Sequence, residues 1–233
     1  MFREKQREIS WTVEQLRAFE STVAETFESA AIHGPVHLSY GNEEYLIDLF
    51  QYIHEQDWVF STWRNHYHAL LHGVPAEYLM ERINAGHSIG FQAPENHFLT
   101  SAIVNGIVPI AVGTALGLKW GSSNRMVWCF VGDMAGESGV FYEAVKYSVR
   151  NELPIHFVVE NNGLSTNTPT QEAWGMKNPK GVVLALDSSI EHKYVSYFNY
   201  TREKYPHQGT GTWIHFVWAV TFLSTIFEVF RYI

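Results

Sequence analysis

At 233 residues, with 46% hydrophobic, 15% aromatic and only 17% charged residues, the chain has enough apolar material for one domain with a sizeable core and some surface to bury against a partner. A net charge of −8 excludes the basic surface of a nucleic-acid-binding protein. The single cysteine, Cys129, excludes an internal disulfide framework and fits a reducing, cytoplasmic setting, and its place in an apolar run reads as core packing.

Met1 to Ala31 is charged early and lacks the apolar stretch of a signal peptide. It predicts a helix capped near Ser10, with Val13, Leu16 and Phe19 as its apolar stripe. His33-Gly34-Pro35 is a turn, and Asn42 to Gln56 predicts a second amphipathic helix with Tyr45, Leu46, Leu49, Phe50 and Ile53 inward. Composition then changes. Residues 1–56 read as a helical segment, 57–216 as the main domain and 217–233 as an apolar tail.

Asp57 to Pro75 gathers Trp58, Trp63, Arg64, His66, Tyr67, His68 and His72. The spacing of His66, His68 and His72 admits a zinc site, but no cysteine or acidic ligand accompanies it locally. The other reading is a set of polar active-site groups. Pro75 to Ala85 predicts a helix opened by proline and closed by Gly86, and His87 to Pro94 a loop. By residue type alone Ile103 and Val104 are core. Asn105 to Leu118 predicts a helix rich in small residues, with Pro109 tolerated near its first turn.

The clearest unit follows. Met126 to Val131 is a short apolar run, as a buried parallel strand requires, and Gly132-Asp133 breaks it. Ser138 can cap a helix whose apolar positions are Val140, Phe141, Ala144, Val145 and Val149. Asn151 and Pro154 end that helix, and Pro154 to Val159 is a second strand closed by Asn161-Asn162-Gly163. This strand–helix–strand unit puts Asp133 and Asn162 just past the carboxyl ends of strands, the ligand-binding edge of open α/β sheets. Asp133 offers a charged oxygen and Asn162 a neutral one, which suits Mg²⁺ shared with phosphate oxygens. The amides of Met134 and Ala135 can face those oxygens. The plainer reading is a strand-end aspartate and an Asn-Asn-Gly turn.

Gly132-Asp133-Met134 with Asn161-Asn162 resembles the thiamine diphosphate signature. Together with FSTWRNHYHALLHGVP (Phe60–Pro75), ENHFLTSAIVNGIVPIAVGTALG (Glu95–Gly117) and NNGLSTNTPT (Asn161–Thr170), it resembles the α subunit of the thiamine-dependent first component of 2-oxo acid dehydrogenases, of pyruvate and branched-chain type. The likeness covers roughly Asp57 to Trp174. It implies an α/β, three-layer fold with a central, mostly parallel sheet between helices, and a thiamine diphosphate and Mg²⁺ site. By that resemblance Trp63 and Arg64 meet the cofactor, the guanidinium on its diphosphate. His66 is an active-site histidine, Ala102 and Val104 lie beside the aminopyrimidine ring, and Gly132, Asp133, Met134, Ala135 and Asn162 bind the diphosphate end. Asp133, Asn162 and the Leu164 carbonyl are the metal ligands. Trp63 departs from the family's usual tyrosine, and Met134 from the signature's second glycine, where a side chain requires a negative φ.

Beyond Trp174 the likeness fades. Val195 to Tyr200 alternates as a strand, Tyr205 to Gly209 is a turn, and His207 is placed to stand in for the family's mobile-loop histidine on the substrate side. The uncharged run Phe216 to Phe227 is 12 residues long, short of the roughly 20 that span a bilayer. It reads as packing on the core or on a partner.

The resemblance implies decarboxylation of a 2-oxo acid and transfer of the acyl or aldehyde unit. It also implies a β-type subunit that supplies the activating glutamate, since no glutamate here sits in a matching motif. A transketolase-like or carboligating enzyme without a lipoyl partner, and a non-catalytic scaffold subunit, remain the alternatives.

Overall fold

A computed structural model describes residues 4–165, 167–175 and 193–215. The predicted apolar tail beyond 216 lies outside the described residues.

Helix α1 (Val13–Glu28) begins two residues later than its sequence suggests. The reason is a reciprocal cap: the Gln15 amide donates to the Thr12 hydroxyl at 3.3 Å, and the Thr12 amide donates to the Gln15 side chain at 2.9 Å. Helix α2 (Glu43–Phe50) ends earlier than its apolar pattern. The Arg7 guanidinium closes it, donating to the carbonyls of Phe50 and Ile53 and, at 2.7 Å, to that of Leu71. Strand β1 (Trp58–Ser61), helix α3 (His66–Leu71) and helix α4 (Ala76–Asn84) follow, the last opening directly after Pro75.

Strands β2 (Gln92–Ala93) and β3 (Phe98–Thr100) arise where the sequence suggests loop and connection. Strands this short carry no readable period, and pairing creates them: β3 lies along β1, and β2 along β3. Then come α5 (Ile107–Trp120), β4 (Val127–Gly132), the single turn α6 (Asp133–Gly136) and α7 (Gly139–Arg150). Helix α7 is capped as expected, the Phe141 amide donating to the Ser138 hydroxyl at 3.3 Å. The described chain closes with β5 (Ile155–Asn161), the small ribbon β6 (Leu164–Ser165) and β7 (Thr168–Pro169), the short helix α8 (Thr170–Trp174) and β8 (Val195–Asn199).

The main sheet runs β2-β3-β1-β4-β5-β8, parallel except for the edge strand β2. Strand β4 shows why it is a middle layer. Val127, Cys129 and Val131 face a core built with α5 and α7, while Trp128 and Phe130 face a second core built with α1 to α4. The architecture is therefore the expected three-layer α/β fold. Helices α1 and α2 share a core with Phe130 and Val158, so the composition change near residue 56 is not a gap in packing.

After β1 the chain crosses to β3 on one side, then returns past β1 to β4 on the other. The carboxyl ends of β1 and β4 therefore flank a topological switch point, where open α/β sheets form a crevice. The opposite edge is fastened by Asp57. Its buried carboxylate accepts from the Met126 amide at 2.8 Å, the His54 amide at 3.1 Å and the Trp128 indole at 3.2 Å. Asp57→Ala leaves the buried Trp128 indole and two part-buried backbone amides without their acceptor, and urea unfolding should show a loss of about 3 kcal/mol. Thr12→Ala, which breaks only the exposed cap, should cost about 1 kcal/mol.

Candidate functional site

Every segment that follows a carboxyl end of β1, β3, β4, β5 or β8 reaches the same edge of the sheet. Trp63 and Arg64 follow β1, Ala102 and Val104 follow β3, and Asp133 follows β4. Asn162 follows β5, and Tyr200 and Arg202 follow β8.

Arg64 binds two loops together. Its Nε donates to the Leu38 carbonyl at 3.2 Å and one terminal nitrogen to the His207 carbonyl at 3.0 Å. The Gly209 amide also donates to the Val36 carbonyl at 2.8 Å, so the 205–209 turn lies alongside residues 36–38. The outcome is an aromatic and cationic cluster. The His37 ring lies 5.3 Å from His207 and 5.9 Å from Trp63, centre to centre. Burial, Arg64 and the neighbouring rings push the His37 imidazole down to about 3. Burial, Arg64 and Arg202 push His207 down to about 4. Burial and Arg64 also lower Arg202. Among the described residues, His37 Nδ1, His207 Nδ1 and one terminal nitrogen of Arg202 are buried without a hydrogen-bond partner. Like charges gathered with unused nitrogens suit an anion, because an anion satisfies both the charge and the hydrogen-bonding demand.

Asn162 borders the same cluster. Its Nδ2 donates to the Tyr200 hydroxyl at 3.4 Å, while its Oδ1 accepts from the Leu164 amide at 3.0 Å and keeps a second lone pair. Opposite Leu164 stands Pro169, which has no N–H to offer the Leu164 carbonyl. Asp133 is 8% exposed, and the Thr170 hydroxyl donates to it at 2.7 Å. Burial holds the Asp133 carboxyl above its usual range against hydrogen bonds from Thr170 and nearby backbone amides. A carboxylate, an amide oxygen and a backbone carbonyl form an all-oxygen donor set that fits a hard cation completed by phosphate oxygens. Met134 lies in α6 and is not among the residues with positive φ, so its backbone is open to any side chain. Gly132 caps α6 with open space around it.

Two expectations meet a different environment. His66 has no exposed surface. Its Nδ1 pairs with Glu20 at 3.0 Å and its Nε2 with the Ser88 hydroxyl at 2.9 Å, leaving no ring nitrogen for a substrate. Glu20 enters from α1, a contact that sequence spacing cannot reveal. Val104 and Ile103 are 61% and 71% exposed, so their reading as core is overturned. They are apolar side chains presented at the site's rim. Ala102 is exposed beside them.

The zinc spacing does not form a cluster. His66 binds Glu20, His68 pairs with Glu160 at 3.1 Å, and His72 meets the Asp57 carbonyl at 3.0 Å. Among the described residues no group of three His, Cys, Asp or Glu could hold a metal. His37, Tyr200 and Arg202 join the site without a sequence signal of their own.

Beneath the cluster lies Glu160, on β5. Burial raises its carboxyl, but the His68 ring and the Asn42 amide, which donates at 2.9 Å, outweigh burial and bring it below the usual range.

The fold defines a class: an α/β protein with a crevice at the carboxyl edge of a mostly parallel sheet. Residues 12–185 match the family model described as dehydrogenase E1 component, and the chain belongs to that family. It is 31% identical over 169 residues to the α subunit of acetoin:2,6-dichlorophenolindophenol oxidoreductase from Bacillus subtilis, covering 68% of this chain and 51% of that protein. Against the pyruvate dehydrogenase E1 component α subunit of Porphyra purpurea it is 34% identical over 163 residues, covering 63% and 47%. The Rickettsia bellii subunit of the same name is 26% identical over 174 residues, covering 70% and 53%. The chain thus spans about half the length of the curated relatives it matches.

A histidine held neutral in the fold favours the native state only while the unfolded histidine is also neutral. Stability is therefore full above about pH 6.5 and drains as pH falls toward the depressed values of about 3 and 4. His37→Gln should flatten that loss between about pH 6.5 and 4 in chemical-denaturation series.

Proposed function

We propose that this chain is an α-type subunit that binds the Mg²⁺–diphosphate end of thiamine diphosphate in an enzyme acting next to a carbonyl. Membership of the dehydrogenase E1 component family supports thiamine diphosphate as the cofactor. The observation that carries the reading is that an oxygen donor set, two arginines and the unused nitrogens of His37, His207 and Arg202 all lie at the carboxyl edge of the sheet.

In this reading Asp133, Asn162 and the Leu164 carbonyl hold Mg²⁺, and Gly132, Met134 and Ala135 shape the turn beside it. Arg64 and Trp63 face the diphosphate side. Ala102 and Val104 offer an apolar rest for the aminopyrimidine, which explains why Val104 is exposed at the rim. His207 and His37 hold neutral imidazoles toward the substrate, able to take up a proton once an anion neutralises the nearby arginines. His66 braces the segment bearing Arg64 through Glu20 and Ser88. When bound, thiamine diphosphate supplies a carbon nucleophile for a 2-oxo acid carbonyl and an electron sink for loss of CO₂. The chain's own groups bind, orient and keep charge balanced around that chemistry.

A β-type subunit would supply the activating glutamate, and the exposed Ile103, Val104, Ile110 and Trp120 suit burial against another chain. Among the described residues no helix is long and apolar enough to cross a membrane. A cytoplasmic setting accords with the single thiol, Cys129, buried in β4. The Bacillus relative favours a second reading for the substrate: oxidation of acetoin, a hydroxyketone, in place of a 2-oxo acid.

Asp133→Ala should abolish Mg²⁺-dependent binding of thiamine diphosphate while leaving thermal unfolding cooperative. Calorimetric titration with and without Mg²⁺, alone and with a β-type subunit, reads both. Wild-type affinity in the variant would remove Asp133 from the site.

A further inference from the structure

Asn105 joins two parts of the crevice by hydrogen bonds. It stands just after the exposed Ala102-Ile103-Val104 segment, 5% exposed, with a left-handed φ of +57°. Asparagine tolerates this conformation better than most residues, yet glycine would adopt it at no steric cost. The backbone therefore does not call for asparagine, and what the residue adds is its side chain.

That side chain reaches across to the turn after β4. Its Nδ2 donates to the Ala135 carbonyl at 3.0 Å and also to the Ser138 hydroxyl. A carbonyl only accepts, so this contact fixes the orientation of the amide. The other bonds of the 101–106 loop stay within it or go to β1 and to the start of α5, where Val108 N donates to the Asn105 carbonyl. Ile103 N donates to Ser101 Oγ, Gly106 N to the Ile103 carbonyl, and Ser101 N to the Ser61 carbonyl. The loop is compact, since a Cβ on Gly106 would come within 2.9 Å of the Ile103 Cβ. The Asp133–Ser138 turn has its own bonds, with Ser138 N donating to the Ala135 carbonyl at 3.2 Å, Phe141 N to Ser138 Oγ and the Thr170 hydroxyl to Asp133.

We propose that Asn105 is a positioning residue, a clasp that fixes the spacing between the apolar 102–104 rim and the Asp133–Ala135 turn. It thereby presets the site for one ligand with an aromatic end and a diphosphate end. This rests on the reading of the crevice as a thiamine diphosphate site. Two separate loops, each able to meet one end of such a ligand, gain from a buried link because the ligand need not then order one against the other.

The test uses the full chain together with the subunit that co-purifies with it, and compares two probes, each with Mg²⁺: inorganic diphosphate and thiamine diphosphate. Asn105→Gly keeps the backbone and removes the clasp. It should weaken thiamine diphosphate by about tenfold, the equivalent of the lost hydrogen bonds, and leave inorganic diphosphate within about twofold. Asn105→Ala, which removes the donor without adding charge beside the diphosphate turn, should show the same split and serves if the glycine variant unfolds. Equal losses for both probes, or no loss for either, overturn the clasp. A wild-type protein that binds inorganic diphosphate but gains nothing from the thiamine moiety overturns the two-ended reading instead. Wild-type protein that binds neither overturns the cofactor reading and the clasp with it.

Discussion

The parallel alignment of β3, β1, β4, β5 and β8 is the constraint on which the site depends. Parallel strands end on one edge, so whatever residue follows each strand is delivered to that edge. The reversal of strand order at β1 and β4 then opens a crevice between the first two of these ends. Residues separated by up to the length of the main domain become neighbours without any local signal between them. The contact between Asn162 and Tyr200, and that between Arg64 and His207, follow from this alignment.

The α1–α2 layer is more than a cover for the sheet. It sends Glu20 to His66 and Asn42 to Glu160, while the strand-like stretch after α1 brings His37 to Trp63 and His207. Buried polar groups demand partners, and here each partner comes from a different layer. The consequence is a firm floor of carboxylate–imidazole pairs, Glu20 with His66 and Glu160 with His68, under a ceiling of unused nitrogens. Pairing below rigidifies the frame, and the lack of pairing above leaves capacity for an anionic ligand.

The structure also separates histidines that look alike in sequence. His66, His68 and His72 share a helical segment and a plausible metal spacing, but each turns to a different acceptor. His37 and His207 lie far apart in the chain and share one environment. His66 and His68 each face a carboxylate, whereas His37 and His207 stand beside Arg64, and tertiary packing decides that.

Much was legible from sequence. The apolar run into Gly132-Asp133, the Ser138 cap and the second strand into Asn161-Asn162 depend on local periodicity and capping, and the structure has each of them. Resemblance singled out Arg64, Asp133, Asn162 and Val104, since motif residues can be read wherever they stand. Other features could not be read there. Strands β2 and β3 exist only because β1 pairs with β3. The burial of His66, the exposure of Ile103 and Val104, and the recruitment of His37, Tyr200 and Arg202 depend on which layer each residue meets. Sequence by itself determined the elements whose forces act within a few residues along the chain. Tertiary structure alone decided which charges are paired and which are left to bind a ligand, because those interactions join residues that only the folded sheet brings together.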